Sequence, residues 1–290
     1  MTGGPHRTYL FAPGNHPRKV EKVFAAGADA AILDLEDAVA AAEKVAARSA
    51  VVAALKQPRG CRGFVRVNAV DTELHAGDLE AVVGPWLDGV MVPKVESAAQ
   101  LQGADARLGA LERRHGMAVG AVDLLPIVET AKGLAAVAGI AEAGTRVRRL
   151  SFGAVDLAKD LGMLLTLDEW ELTPARAAVA LASRAAGLEA PIDTVWVHFR
   201  DETGLIKSAE RARTLGFQGK MCIHPDQVAP VSRAFTPSDD EVAKAEKIVA
   251  AFEKAEAAGS ASIVVDGFFV DYPVVDHARR TLELIKSIRG

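Results

Sequence analysis

No stretch of this chain approaches the roughly 18 consecutive apolar residues that a membrane-spanning helix needs. Its opening, MTGGPHRTYLFAPGNHP, places Pro, Gly and charged residues where a signal peptide would be apolar. Cysteine is scarce: Cys61 and Cys222 lie far apart, in no C-x-x-C or zinc-type spacing. That pattern points to reduced thiols in a cytoplasmic protein. Positive charge is not in excess either. Lys plus Arg number 34 against 38 Asp plus Glu, a formal net charge of −4, which gives no footprint for nucleic acid or an anionic membrane. Neither G-x-G-x-x-G nor G-x-x-x-x-G-K-[ST] occurs, so the phosphate turns of dinucleotide and P-loop folds are missing.

What is present is an alternation of short apolar runs with longer amphipathic ones, in 290 residues of which half are hydrophobic. Eight runs read as strands: 8–12, 29–37, 63–68, 88–96, 124–130, 148–156, 193–199 and 219–225. Most are continuously apolar, as parallel strands buried on both faces are. Helical patterns separate nearly all of them, the first opened by Pro17; only 69–87 looks short and irregular for a helix. Eight such units over residues 1–235 predict an α/β fold, a (β/α)8 TIM barrel.

Residues 236–290 have a different character. Ser238-Asp239-Asp240-Glu241 is a helix N-cap signature ahead of an amphipathic run. SIVVDGFFVDYPV reads as a hairpin around Asp266-Gly267. A last helix is expected from about 274 to 288. An isolated hairpin is marginal in water, so this helix–hairpin–helix extension is expected to pack on the barrel or on a neighbouring subunit.

In a barrel, chemistry gathers where strands end. The second run ends Asp34-Leu35-Glu36-Asp37, the third carries Arg66 and Asn68, and the fourth Lys94 and Glu96. The fifth ends in Glu129 and the sixth leads through Gly153-Ala154-Val155 to Asp156, while His198 and His224 follow on the last two. Any one such residue also suits a plain exit from the core. Several carboxylates converging on one rim are different, because buried like charges need a cation. A hard divalent ion that keeps several waters fits a pair of carboxylates. His198, His224 and the two cysteines read as packing or supporting groups.

The segments YLFAPGNHP, DAAILDLEDAV, FVRVN, DGVMVPKVES, PIVETAKGL, RLSFGAVDLAKDLG and GKMCIHPDQV resemble, in order and spacing, the citrate lyase β-subunit-like family. That family lies within the HpcH/HpaI aldolase and malyl-CoA lyase superfamily, and the resemblance spans about 7–290. It implies a homotrimer or hexamer that uses Mg2+, with Mn2+ as the alternative, on an acyl-CoA substrate. By resemblance, Glu129 and Asp156 hold the metal. Arg66 binds and polarises the oxygens of a 2-oxo acid, and Glu36 and Asp37 support the metal's waters. Backbone N–H groups around Ala154 and Val155 hold the substrate carboxylate. The FAPGNHP turn, with Phe11 and Pro13, resembles the CoA-binding segment; His16 stands where arginine is common, which leaves Arg18 or Lys19 for the CoA phosphates. Asp271, in Asp-x-Pro, matches an aspartate that reaches a neighbouring subunit's site, although it also suits a cap on the last helix.

The activity so implied is reversible Claisen-type cleavage of a 3-hydroxyacyl-CoA, such as malyl-CoA or citramalyl-CoA, to an acyl-CoA and a 2-oxo acid. Two relatives of that chemistry stay open: a citrate lyase β-subunit working with an acyl carrier partner, and a metal-dependent aldolase on free 2-oxo acids. A barrel without catalysis, serving as a scaffold, is the bland reading, and the charges converging on one rim speak against it.

Overall fold

The computed structural model describes residues 6–289. Among these, eight parallel strands close a barrel in chain order: β1 (Thr8–Pro13), β2 (Ala30–Asp34), β3 (Arg62–Arg66), β4 (Gly89–Val92), β5 (Asp123–Val128), β6 (Ser151–Phe152), β7 (Ile192–Asp193) and β8 (Gly219–Cys222), with β8 pairing back onto β1. This is the (β/α)8 TIM barrel that the apolar runs predict. Its interior is filled by Tyr9, Ile32, Phe64, Met91, Leu125, Ile127, Ile192 and Met221. Alternate residues of the same strands face outward to the helices, which is why the runs are apolar on both faces.

The barrel's helices are α1 (Pro17–Phe24), α2 (Lys44–Leu55), α3 (Glu73–Val82), α4 (Ala98–Arg114), α5 (Ala131–Ala135), α6 (Val137–Ala141), α7 (Ala154–Leu161), α8 (Thr173–Ala185), α9 (Glu202–Thr214) and α10 (Val228–Ala234). The irregular stretch at 69–87 proves to contain a ten-residue helix, α3. Its buried face carries His75 and Asp78 beside Leu79 and Val82, so polar residues interrupt the apolar period that a sequence reading follows. Asp78 is buried for a purpose. It accepts from Arg48 at 2.8 Å and from the Asn68 N–H and Nδ2 at 2.9 and 2.7 Å, fixing the chain where it leaves β3.

The chain forms two compact units, dividing after Ser232. The second contains α11 (Asp239–Ala257), β9 (Ile263–Val265), β10 (Phe268–Val270) and α12 (Tyr272–Arg289). Ser238 and Glu241 exchange a reciprocal capping box at the start of α11, as their spacing predicts. Asp266 and Gly267 both have positive φ, +51° and +78°, the conformation a two-residue antiparallel turn needs. Ala245, Ile248, Phe252, Val270, Val275 and Ala278 form this unit's own core. Among the described residues no helix is long and apolar enough to cross a membrane.

Candidate active site

The rim is built from the second strand onward. Asp34 is the last residue of β2 and pairs in register with Arg66, the last of β3. Its carboxylate takes four bonds: Arg66 Nε at 2.7 Å, Arg66 Nη2 at 2.6 Å, and the Glu36 and Ala38 N–H groups at 3.0 and 2.9 Å. Burial alone would raise its pKa, but the Arg66 guanidinium outweighs that and holds Asp34 below the ordinary carboxylate range. All four bonds are local, so Asp34 orients its neighbours rather than meeting a ligand. Asn68 braces the same corner by donating to the Leu35 carbonyl at 3.0 Å.

Arg66 therefore spends its two-pronged face on Asp34. Its remaining edge, Nη1, lies 3.0 Å from Glu36 Oε2, and its guanidinium sits over the Phe11 ring at 4.9 Å. Burial works against its charge, yet Asp34, Glu36 and Glu129 keep it firmly protonated. Glu36 is buried and also forms a close ion pair with Lys94 Nζ. Desolvation raises the Glu36 pKa, against the pull of Arg66 and Lys94. Asp37 is exposed, with Lys94 Nζ at 3.4 Å.

Glu129 follows β5 and is only 3% exposed. Its Oε1 accepts the Lys94 N–H at 2.9 Å. Burial first, and the charge of Asp156 second, push its pKa up to about 8, with Arg66 pulling the other way. Asp156 lies half-buried in the first turn of α7, where the helix's positive end favours an acid. The turn carrying it passes so close to Glu129 that a Cβ on Gly153 would strike Glu129 Oε2 and lie 2.7 Å from Glu129 Cβ. Glycine is required there. The Ala154 N–H donates to Thr194 Oγ1 at 2.9 Å. Of the turn's amides expected to meet a substrate carboxylate, Ala154 is thus already engaged, and Val155 and Asp156 follow it.

The residue set fits a divalent ion. Two carboxylates share a buried corner in which one of them resists ionising, the condition a cation relieves. Among the described residues no group of three or more His, Cys, Asp and Glu could hold a metal, so a closed zinc-type cage is not built here. An ion that keeps most of its waters needs only two such acids, as magnesium does.

Beside the rim lies a pocket of about 460 Å³ lined by Leu10, Phe11, Pro13, Lys19, Lys22 and His224 among others. Phe11, Pro13 and Lys19 are thus brought together. Arg18 is exposed on α1 and does not line the pocket, whereas Lys22, one helical turn after Lys19, does. That i, i+3 spacing could have pointed to Lys22 from sequence. Asp271 belongs to the second unit, half-exposed between β10 and α12, and its carbonyl accepts the Val275 N–H at 3.0 Å. The roles of Asp34, Lys94 and Thr194 had no sequence signal beyond their place at strand ends.

A model of the HpcH/HpaI aldolase/citrate lyase family matches residues 7–225. The chain is 35% identical to the citrate lyase subunit beta of Leuconostoc mesenteroides subsp. cremoris, covering 97% of this chain and 93% of that one. It is 36% identical to the L-malyl-CoA/beta-methylmalyl-CoA lyase of Cereibacter sphaeroides, covering 98% and 96%. Among solved structures, the CitE protein of Mycobacterium tuberculosis in complex with magnesium, acetoacetate and coenzyme A superposes with a TM-score of 0.80 at 34% identity, covering 98% of this chain and 99% of that one.

Proposed function

This chain belongs to the HpcH/HpaI aldolase/citrate lyase family, and we propose that it is a Mg2+-dependent carbon–carbon lyase of CoA thioesters. Its substrate is a 3-hydroxyacyl-CoA such as malyl-CoA or citramalyl-CoA, cleaved reversibly to an acyl-CoA and a 2-oxo acid. The observation that carries this is the buried Glu129, with the charge of half-buried Asp156 acting on it, beside the Arg66 edge and a lysine-flanked pocket.

Glu129 and Asp156 are the residues that would hold the metal, and Mn2+ is the natural substitute. Bound there, Mg2+ supplies Lewis-acid polarisation of the oxygen that becomes the carbonyl of the 2-oxo acid. Arg66, oriented by Asp34, presents to the same oxygens its Nη1, the edge that lies against Glu36. Glu36 and Asp37 accept from water molecules at the rim. The N–H groups of Val155 and Asp156, at the start of α7, hold the substrate carboxylate. Phe11 and Pro13 line the CoA arm's pocket, with Lys19 and Lys22 for its phosphates; Arg18, outside the lining, contributes at most from the surface.

Asp271, supplied by a neighbouring copy, takes the proton α to the thioester in the condensing direction and returns it in cleavage. Two features support a homo-oligomer, a trimer or hexamer. The hairpin preceding Asp271 exposes Val264, Phe268 and Phe269, and the link between α7 and α8 exposes Leu164, Leu167 and Trp170. Large exposed apolar side chains so grouped mark surfaces that a partner covers. The free cysteines, Cys61 half-buried and Cys222 buried, support a reducing, cytoplasmic setting.

The test is a cleavage assay against malyl-CoA, methylmalyl-CoA, citramalyl-CoA and citryl-CoA with and without Mg2+. An acyl-CoA and a 2-oxo acid are the expected products. Free CoA with the intact hydroxy acid would show thioester hydrolysis instead and overturn the lyase reading. Turnover of free 2-oxo acid aldols without CoA would favour the aldolase. A citrate lyase subunit beta is among the relatives, so an acyl carrier role is the second reading. Copurification with a carrier subunit, and activity only on the carrier-bound citryl group, would decide for it.

A further inference from the structure

We propose that Lys94 is a positioning residue of the metal site, its left-handed backbone turning an N–H onto Glu129 Oε1 while its ammonium holds Glu36 and Asp37. The inference rests on the reading of Glu129 and Asp156 as metal ligands.

The β4–β5 ladder ends with Val92 paired to Pro126. The chain rejoins β5 when the Val95 N–H donates to the Ile127 carbonyl at 3.2 Å. Between these two attachments Pro93 has no N–H to give, and Lys94 adopts φ +52°. A side chain with a Cβ occupies that region only when its surroundings hold it there, and such outliers gather at functional sites. What this one achieves is specific: the Lys94 N–H reaches Glu129 Oε1 at 2.9 Å. The other carboxylate oxygen, Oε2, faces Gly153, on the turn that carries Asp156. The bond to Lys94 therefore selects which oxygen of Glu129 is left toward its partner acid. Without it the carboxylate is free to turn about its last torsion, which is broad.

The other end of the same residue faces the same rim. Lys94 Nζ makes a close ion pair with Glu36 and lies 3.4 Å from Asp37 Oδ2. One residue thus ties the acid of β5 to the two acids that follow β2. Backbone and ammonium act on different acids, so substitutions can part them.

Lys94→Gly and Lys94→Val both lack the ammonium. Glycine accepts positive φ freely; a β-branched residue there is a marked outlier. The readout is Mn2+ binding by electron paramagnetic resonance in the substrate-free protein, with folding checked by circular dichroism. Lys94→Val is expected to bind Mn2+ at least about tenfold more weakly than Lys94→Gly, the scale on which orienting partners of metal ligands act. Lys94→Ala, a milder change that keeps the protein folded if valine does not, should rank between them. Lys94→Arg should restore the hold on Glu36 and Asp37 and recover kcat over Lys94→Gly without changing KM for the CoA ester. Equal Mn2+ affinity in the glycine, alanine and valine variants overturns the proposal. Failure of the underlying reading looks different: wild type would then bind no Mn2+, or Glu129→Gln would bind it as wild type does.

Discussion

Two buried ionic clusters sit in the same barrel and are built to opposite ends. Behind β7 and β8, Arg176 is buried with its Nε 2.8 Å from Asp193 Oδ1 and its Nη2 3.0 Å from Glu169 Oε2, while Lys220 Nζ reaches Asp193 Oδ2 at 2.6 Å. Each acid there has its cations, Arg176 and Lys220 on Asp193, Arg176 and Arg211 (Nη1 at 3.4 Å) on Glu169, and Asp193, despite burial, is held below the ordinary carboxylate range by Lys220 and Arg176. At the rim, five acids, Asp34, Glu36, Asp37, Glu129 and Asp156, gather about Arg66 and Lys94. There Glu129 is pushed up to about 8. Equal burial with opposite pKa direction separates a cluster that closes on itself from one that awaits a cation. Charge balance, more than burial, marks the site.

The contrast is broken most severely at the rim. Glu129→Ala or Asp156→Ala should lower Mg2+-dependent cleavage by more than about a hundredfold in a protein that still folds by circular dichroism. Wild-type turnover in either would remove the metal assignment. In the balanced cluster the effects should be exchanged. Asp193→Asn strands Lys220, leaves Arg176 to Glu169 alone and should cost about 3–5 kcal/mol in urea unfolding, while the protein still folded keeps its KM for Mg2+.

Intermediate between these is Asp34→Asn, which removes the charge that holds Arg66. A fall in kcat of about 10–100-fold is expected, with Mg2+ affinity little changed, and equal losses in both would place Asp34 on the metal instead. Arg66→Lys should behave similarly, because a lysine cannot make the forked bond to Asp34. Smallest is Lys19→Ala with Lys22→Ala. It should raise KM for the CoA ester a few-fold, leave kcat alone and lose that effect at high salt; Arg18→Ala should change KM less.

Subunit mixing extends the test to the other unit. Asp271→Asn should retain CoA-ester binding and lose cleavage. Mixed with Glu129→Gln under conditions of subunit exchange, it should regain part of the wild-type rate, since some sites then receive one intact contribution from each chain. No recovery from an exchanged mixture would remove the shared-site proposal.

The barrel was legible because buried parallel strands read as continuous apolar runs, and its helices because they lie between them. The strand ends were less so. The run read as 148–156 contains a ladder of two residues, β6, and the run read as 193–199 meets the two-residue β7 only at Asp193, because pairing depends on a neighbour as well as on apolar character. Helix α3 was obscured by the polar His75 and Asp78 on its buried face. At the rim, Arg66, Glu129 and Asp156 stood out as charges at strand ends. In Asp34-Leu35-Glu36-Asp37, however, nothing in the spacing tells which acid takes the guanidinium fork; that follows from the register between β2 and β3. The positive φ of Lys94 and the bond from Ala154 to Thr194 are properties of the folded chain alone.

The most direct measurement is the gain in Tm on adding Mg2+, followed across pH in wild type and Glu129→Gln. With its pKa raised above the unfolded value, Glu129 gives the metal-free fold a stability that is complete below the unfolded carboxylate range and lost as pH rises through about 8. Mg2+ requires the ionised form, so its stabilising effect should grow over the same interval. The account predicts a Tm gain larger at about pH 9 than at about pH 6 in wild type, and none at either pH in Glu129→Gln. A gain independent of pH, or one that survives Glu129→Gln, would contradict it.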